Sequence, residues 1–336
     1  MSDSKQLNVL KQLFDNLSDK EKQAFIKSLN QPTAKSIIEP RKIQQCPYCG
    51  GSHFVKNGTR QGRQRFICRD CHKTFVAEVG SVFFGSQKRI DVWQKYVDCM
   101  MDKLPLRRCA EICDISLPTA FIWRHKILDA LQKMQNQVQL DGVTEADETF
   151  FRLSFKGNHK KSSGFRMPRP AKHRGTPGKT GLSKDLVCVP TGINLDGKSI
   201  AKISNLGKPR HVDIAKVISG RIAKGSVFVT DSLRSYCKLS FDMELNHIRI
   251  PRKKHSVGVF NIQTINSYHS MLKALVLHRF RGVATKYLNN YLVYHNFVNF
   301  AKESNADKHA TLLNFIRNNP YLAQSRDIPK RAAVPI

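Results

Sequence analysis

The segment Val143-Thr-Glu-Ala-Asp147-Glu-Thr-Phe-Phe-Arg-Leu153 predicts a β-strand that carries an aspartate. A second apolar run, Ser226-Val-Phe-Val-Thr-Asp231, predicts a short buried strand that ends in an aspartate. Each carboxylate therefore stands where apolar sequence meets polar sequence. Asp147 is either a turn former at a strand end or part of a shared site. Asp231 is either its partner in that site or a helix N-cap.

The order of elements around these strands indicates the fold of the second half. The further elements are a hairpin of strands at 186–193 and 198–204 around Asp196-Gly197, a helix at 211–222 and a strand at 246–250. Three antiparallel strands, a helix, a strand and then helices are the order of an RNase H-like α/β domain, here residues 140–305. In that fold the first and fourth strands are neighbours, which predicts that Asp147 and Asp231 meet.

The composition indicates a nucleic-acid partner. Among 336 residues, 56 are Lys or Arg and 26 are Asp or Glu, which gives a net charge of +30. Such an excess of positive charge neutralises phosphates and releases their counterions. A ribosomal protein or a generic basic surface is the alternative. In a chain that lies on phosphates, isolated carboxylates favour a site for a divalent cation such as Mg²⁺ or Mn²⁺.

The distribution of apolar residues and cysteines indicates where in the cell the protein is expected. No apolar run approaches the about 18 residues of a membrane span, and the N-terminal sequence lacks the layout of a secretory signal. We therefore expect a cytoplasmic, reducing location and no membrane partner, where cysteines are metal ligands or buried thiols. The cysteines predicted to be small buried side chains are Cys99, Cys109, Cys113, Cys188 and Cys237.

Two cysteine pairs predict a structural zinc site. Cys46-Pro-Tyr-Cys49 and Cys68-Arg-Asp-Cys71 place four thiolates at the spacing of a zinc ribbon, here residues 41–80. All four positions are taken by protein ligands, so a structural and not a catalytic Zn²⁺ is expected. The basic side chains around the ribbon contact DNA or form a solvated face; they include Arg60, Arg63 and Arg65.

Residues 88–138 have the pattern of a helix-turn-helix. The predicted turn covers 114–117, and Pro118 lies in the first turn of the second helix, with Ser116 or Leu117 near the cap. The side chains predicted to face a DNA groove or phosphates are Thr119, Arg124 and Lys126. Ordinary helix packing is the alternative for this region.

Three further segments complete the domain plan. Residues 1–40 predict a helical hairpin and a linker, with a capping box formed by Ser18 and Glu21. A basic insertion at 156–185 is either an arm that follows phosphates or a solubilising loop. The lysines of that insertion assigned to DNA are Lys156, Lys160 and Lys161. Residues 306–336 are assigned as a C-terminal tail. The fold class is thus α+β multidomain: helical N-terminus, zinc ribbon, helix-turn-helix and RNase H-like domain.

A helix in the last third of the chain carries polar side chains on one face. Asn266, His269 and Lys273 have spacings of three and four residues. The surrounding segment 261–273, with Arg281-Gly-Val-Ala-Thr-Lys286, resembles insertion-sequence transposases that pair a zinc ribbon with an Asp-Asp-Asn/Glu-Lys catalytic domain. The resemblance extends to the segments of Asp147 and Asp231, the cysteine quartet and the helix-turn-helix.

The resemblance implies DNA cleavage and strand transfer at the ends of an insertion sequence. It implies Asp147 and Asp231 as ligands of Mg²⁺ or Mn²⁺, Asn266 as the third active-site position, and Lys273 as a phosphate contact. The implied partners are double-stranded DNA, as terminal inverted repeats and as target, and further copies of the chain. At least a homodimer on the nucleoid of a prokaryotic-type cell is expected, because two ends are joined in concert.

Asn266 departs from the better-known acidic triad. Its carbonyl oxygen binds a hard cation more weakly than a glutamate does. For His269, orientation of a ligand and a structural role remain equally open. Two other functions also stay open: a DNA-binding regulator that has lost activity on the same scaffold, and a nuclease that cuts without joining.

Overall fold

The structure is a computed structural model of the chain that describes residues 14, 18–19, 21–23, 43–60, 63–158, 167, 181–298, 305–318 and 325–336. Met1–Pro40 and Arg41–Ile336 form two separate compact units. In the first unit the predicted capping box is present, since the Ser18 amide donates to Glu21 Oε2 at 2.9 Å and the Glu21 amide to Ser18 Oγ at 3.4 Å. Apart from residues 14, 18–19 and 21–23, the predicted hairpin and linker lie outside the described residues, and so do Lys160 and Lys161.

The second unit begins with a small antiparallel sheet. Its strands, in the order β1-β2-β3, are Phe54–Arg60, Arg63–Cys68 and Thr74–Val76. One aromatic side chain from each strand, Phe54, Phe66 and Phe75, packs on one side with ring centroids 5.6 to 5.9 Å apart. So small a sheet has little apolar area to bury, and these three rings supply much of its core.

Three helices follow: α1 at Ile90–Met101, α2 at Leu106–Ile112 and α3 at Leu117–Gln135. The turn between α2 and α3 has the predicted form, with Asp114 at a positive φ of 49°. Ser116 caps α3, because its hydroxyl accepts from the Thr119 amide at 3.2 Å. Pro118 lies in the first turn, where no helical partner exists for the amide it lacks.

A mixed sheet forms the centre of the molecule. Its strands are β4 at Val143–Arg152, β5 at Leu186–Asn194, β6 at Ser199–Ala201, β7 at Asn205–Leu206, β8 at Val227–Thr230 and β9 at Asn246–Arg249. The order is β6-β5-β4-β8-β9, with β7 also paired to β5. Strand β4 runs antiparallel to β5 and parallel to β8. The predicted contact of the first and fourth strands is thus observed.

Helices cover both faces of this sheet. The remaining elements are α4 at His211–Ile218, α5 at Arg234–Asp242, a hairpin of β10 at Ser256–Val257 and β11 at Phe260–Asn261, α6 at Gln263–Lys273, a π-helix at Ala274–Arg279, α7 at Thr285–Val298 and α8 at Asn305–Asn318. One apolar core joins the sheet to α6 and α7, and another joins it to α4 and α5. Among the described helices, none combines the length and apolar character that a membrane span requires.

The helices of the predicted DNA-binding region pack against helix α7, which also covers the mixed sheet. Asn290 on α7 accepts from Gln132 and donates to Asp129, both at 2.8 Å, which ties α7 to α3. The ring of His125 lies 4.2 Å from that of Tyr287. Residues 41–336 therefore form one compact unit, and the segment assigned as a tail contributes α8 and a salt bridge from Arg331 to Asp129.

Arg124, assigned from the sequence to DNA contact, does not reach the surface. Its side chain is 2% exposed, and Nη2 donates to the Leu104 carbonyl oxygen at 2.7 Å. The guanidinium lies 5.2 Å from the Phe280 ring centroid. The helical pattern was correct, but Arg124 lies on the face of α3 that is covered by the rest of the fold.

We predict that Arg124→Ala lowers the free energy of unfolding by about 2–4 kcal/mol, because it opens a cavity and removes the charged donor to the Leu104 carbonyl, which keeps the weaker Cys109 thiol donor at 3.5 Å. Arg60→Ala, at an exposed position on β1, should change it by no more than about 0.5 kcal/mol. Urea unfolding of both variants tests this. Equal stabilities would contradict the buried position of Arg124.

Candidate active site

Strands β4 and β8 bring Asp147 and Asp231 together. Their parallel pairing ends with Ala146 opposite Thr230, and each aspartate is the next residue along its own strand. Both side chains thus stand at the carboxyl end of the β4–β8 pair.

The electrostatics of Asp147 favour a bound cation. Burial raises the pKa of Asp147 to about 6; a hydrogen bond from the Glu148 amide and the charge of Lys273 oppose this change, and the charge of Asp231 adds to it. Two carboxylates in partly dry surroundings repel each other when both are ionised. Oxygen ligands of this kind suit a hard divalent cation, which would offset that repulsion. The residues present therefore fit Mg²⁺ or Mn²⁺.

Asp231 has a second structural task. Its Oδ1 accepts a hydrogen bond of 2.9 Å from the Leu233 amide, in the turn that leads into α5. The capping interpretation and the ligand interpretation are compatible, because Oδ2 makes no hydrogen bond within the part of the chain that the structure describes. The capping bond leaves this second oxygen available to the site.

Helix α6 is held in place by a carboxylate from β4. Glu145 is 4% exposed, and its Oε2 accepts from the Ile265 amide at 2.8 Å. That amide lies in the first turn of α6, where backbone donors lack helical partners and negative charge is stabilised. Glu145 and Asp147 are two residues apart and therefore lie on the same face of β4. The strand thus presents Asp147 and also positions helix α6 beside it.

Helix α6 brings His269 to Asp147. His269 Nδ1 lies 3.7 Å from Asp147 Oδ2, and Nε2 lies 2.5 Å from Thr191 Oγ1. Burial and the charge of Lys273 lower the pKa of His269 to about 4. Asn266 and Lys273 are both exposed on this helix, one turn to either side of His269. No hydrogen bond joins Asn266 to either aspartate among the described residues.

Glu148 lies on the other face of β4, as strand alternation predicts. Burial raises the pKa of its carboxyl to about 7, and the charges of Asp147 and Asp231 act in the same direction. Its Oε1 is buried without a hydrogen bond in the described structure, although the buried Tyr236 hydroxyl interacts with the carboxyl group. Together with Asp147, this makes two carboxyls with raised pKa values in the middle of β4, just past the point where its pairing with β8 ends.

The four ribbon cysteines converge. Their sulfur atoms lie within 4.8 Å of one another, with 3.7 Å between Cys46 and Cys71 and 3.6 Å between Cys49 and Cys68. Tetrahedral zinc with bonds of about 2.3 Å separates its sulfurs by about 3.8 Å. The cluster therefore fits one zinc ion. The cysteines predicted as buried thiols lie elsewhere, and of these only Cys237 is partly exposed.

The residues assigned to DNA fall into different environments. Arg60 is exposed, Arg65 is half-buried, and Arg63 donates to the Ser86 carbonyl oxygen at 3.1 Å. The Thr119 hydroxyl lies 2.8 Å from that of Ser116, and burial lowers the pKa of Lys126. Lys156 is exposed, but Nζ donates to the carbonyl oxygens of Arg281 and Gly282 at 2.9 and 3.0 Å.

Sequence reasoning missed the residues that hold the site in shape. Glu145 had a detectable signal, since it precedes Asp147 by two positions on a predicted strand and so shares its face. Thr191 and Thr230 each donate to the carbonyl oxygen of a site aspartate, at 2.8 and 2.9 Å. Nothing local distinguishes these threonines from ordinary strand residues.

Comparison with known proteins gives similarities to a family, to another protein sequence and to a solved structure. Residues 139–297 match the model of the ISXO2-like transposase domain. The chain is 24% identical over 275 residues to an uncharacterised protein in transposable element ISH50 of Halobacterium salinarum, covering 80% of this chain and 89% of that protein. A crystal structure of a pre-cleavage Mos1 transpososome is similar over 66% of this chain and 78% of the other, at 10% identity and a TM-score of 0.25.

We predict that Glu145→Ala lowers the free energy of unfolding by about 1–3 kcal/mol, because a buried amide at the start of α6 loses a charged acceptor. The loss should be local, so the Ile265 amide should exchange its hydrogen faster than amides in β4. Hydrogen exchange measures this. Unchanged protection of Ile265 would contradict the role assigned to Glu145.

We predict that Asp147→Asn stabilises the protein at pH 8 without added divalent cation, by about 1–3 kcal/mol. The pKa of Asp147 is higher in the folded protein than in the unfolded chain. Its contribution to stability is therefore fully present below the ordinary pKa of 3.8 and is lost as the pH rises through about 6. The stability gained by the substitution should therefore vanish near pH 3.5, where Asp147 of the folded natural protein is protonated and is as neutral as the asparagine that replaces it. Thermal unfolding across this range, with exposed Asp196→Asn as control, measures it. A variant less stable than the natural protein at pH 8 would contradict the prediction.

Proposed function

The chain carries an ISXO2-like insertion-sequence transposase domain over residues 139–297, and from this we propose that it cleaves the ends of an insertion sequence and joins them to target DNA. The family match confirms the resemblance inferred from the sequence motifs. Cleavage, joining and the residues that perform them are our proposal. Its main support is the pair Asp147 and Asp231 at the carboxyl end of two adjacent parallel strands.

The proposed reaction has two phosphoryl-transfer steps. In the first, water attacks the phosphorus at the element's end, the P–O3′ bond breaks, and the element keeps a free 3′-hydroxyl. In the second, that hydroxyl attacks a target phosphodiester and displaces a target 3′-oxygen, so one bond forms for each that breaks. Divalent cations bound at the site would activate the attacking oxygen and stabilise the leaving one.

The chain's own residues position the reactants. Asp147 and Asp231 would hold the cations, and Asp231 is fixed by the bond from the Leu233 amide. Asn266 stands one turn before His269 on α6 and offers a neutral carbonyl oxygen as the third active-site group. Lys273 is exposed and close enough to Asp147 to lower its pKa, so it can contact a phosphate at the site.

The DNA-binding parts follow from charge and geometry. The strand order β6-β5-β4-β8-β9 supports the RNase H-like assignment, and the cysteine cluster supports a zinc ribbon. We assign recognition of the terminal repeats to the ribbon and to the exposed first turn of α3. Arg124 takes no part in this. The net charge of +30 supports binding along phosphates, and joining two ends requires at least a dimer.

A regulator without activity is the second candidate, and Asn266 is the feature that favours it. The test is incubation of the full chain with DNA that bears the element's ends, in Mg²⁺ or Mn²⁺. We expect cleavage and strand-transfer products for the natural chain and none for Asp231→Asn. Asp196→Asn, at an exposed hairpin position, serves as the matched control and should retain activity.

The products separate the candidates. Metal-dependent cleavage with transfer supports the transposase, and cleavage without transfer indicates a nuclease. DNA binding without either product, in the natural chain and in Asp231→Asn alike, would identify a regulator and overturn the proposal.

A further inference from the structure

The side chain of His269 has one ring nitrogen committed and the other directed at the active-site carboxylate. The ring is 7% exposed and lies between Thr191 and Asp147, with Nε2 2.5 Å from the threonine hydroxyl and Nδ1 3.7 Å from Asp147 Oδ2. Charged or titratable groups near the ring also include Lys273, His295 and Tyr268, whose ring centroid lies 6.0 Å away.

Counting protons assigns the tautomer. The Thr191 hydroxyl has a single hydrogen, which it donates to the Asp147 carbonyl oxygen at 2.8 Å. Thr191 Oγ1 must then accept from His269, which places the histidine's proton on Nε2. In a neutral imidazole Nδ1 is then a bare lone pair. Two acceptors, Nδ1 and Asp147 Oδ2, face each other with no donor between them.

On the basis of the proposed function, we propose that His269 Nδ1 is a ligand of the divalent cation held by Asp147 and Asp231. A cation between the two acceptors converts their repulsion into attraction. The spacing allows this, because ligand atoms about 2.1 Å from one ion lie about 3.0 Å apart at a right angle and about 4.2 Å apart across it. The 3.7 Å between Nδ1 and Oδ2 falls inside that range.

The surrounding hydrogen bonds match those of a metal-binding histidine. Such a histidine donates its other ring N–H to a neighbouring acceptor, which fixes the ring and the tautomer. Thr191 supplies that acceptor and at the same time holds the main chain of Asp147. A ligand set with two carboxylates, one amide and one imidazole is also softer than an all-carboxylate set, so it should favour Mn²⁺ over Mg²⁺.

The chain contains a matched control. Nε2 of His247 on β9 lies 2.8 Å from Thr230 Oγ1, and the Thr230 hydroxyl donates to the Asp231 carbonyl oxygen. This repeats the histidine–threonine–aspartate hydrogen bonds of His269. Within the described residues, however, His247 makes no ion pair with a carboxylate. Replacing His247 therefore removes the same kind of support without removing the proposed ligand.

The experiment uses the full chain with Mn²⁺ as the probe at pH 8. Electron spin echo envelope modulation of bound Mn²⁺ should show a directly coordinated nitrogen in the natural chain and in His247→Ala, but not in His269→Ala. Titration calorimetry should show Mn²⁺ binding weakened at least tenfold in His269→Ala and less than threefold in His247→Ala. Mg²⁺ binding should change less than Mn²⁺ binding in His269→Ala. Cation at the cysteine cluster contributes no nitrogen signal, because its ligands are sulfur.

The outcomes separate this inference from the proposed function. In one outcome Asp231→Asn abolishes Mn²⁺ binding, but Mn²⁺ bound to the natural chain shows no nitrogen signal. That outcome overturns the role of His269 and leaves the aspartate site intact. Mn²⁺ binding that Asp231→Asn does not affect overturns both the aspartate site and the inference. The nitrogen signal is measured on the natural chain. Its absence would therefore contradict the inference even if the His269→Ala variant did not fold.

Discussion

A buried carboxylate at the start of helix α6 is the contact on which the rest of the site depends. Ile262, the residue before the helix, supplies no side-chain hydrogen bond, and Glu145 from β4 supplies the acceptor instead. In dry surroundings this charged hydrogen bond is stronger than at the surface. Because β4 also carries Asp147, the bond fixes which turn of α6 lies beside the aspartate.

The three carboxylates of β4 then have three different environments. Glu145 is satisfied by the helix amide, Asp147 faces Asp231, and Glu148 lies buried on the opposite face near Tyr236. The raised pKa values of Asp147 and Glu148 mean that ionising them costs folding free energy in the absence of a cation. Such local conflict is common where a site is shaped for binding and not for stability.

The local signals in the sequence were informative wherever a pattern depends on neighbours in the chain. The paired cysteines, the Ser116 cap and the Asp196-Gly197 hairpin were each predicted from a few adjacent residues, and the structure contains all three arrangements. The adjacency of β4 and β8 followed from the order of elements. Arg124 shows the limit: helical periodicity places residues on faces, but it does not say which face another helix covers.

The sequence by itself determined the elements, the two aspartates and the resemblance to insertion-sequence transposases, because these follow from residue type and spacing. Only the tertiary structure decided that Glu145 anchors α6 and that His269 faces Asp147. The residues that meet in these contacts are more than 100 positions apart in the chain. Glu145 and Ile265 of α6, for example, are separated by 120 positions. Contacts of that separation arise from packing two cores on one sheet, and no local pattern encodes which side chains meet.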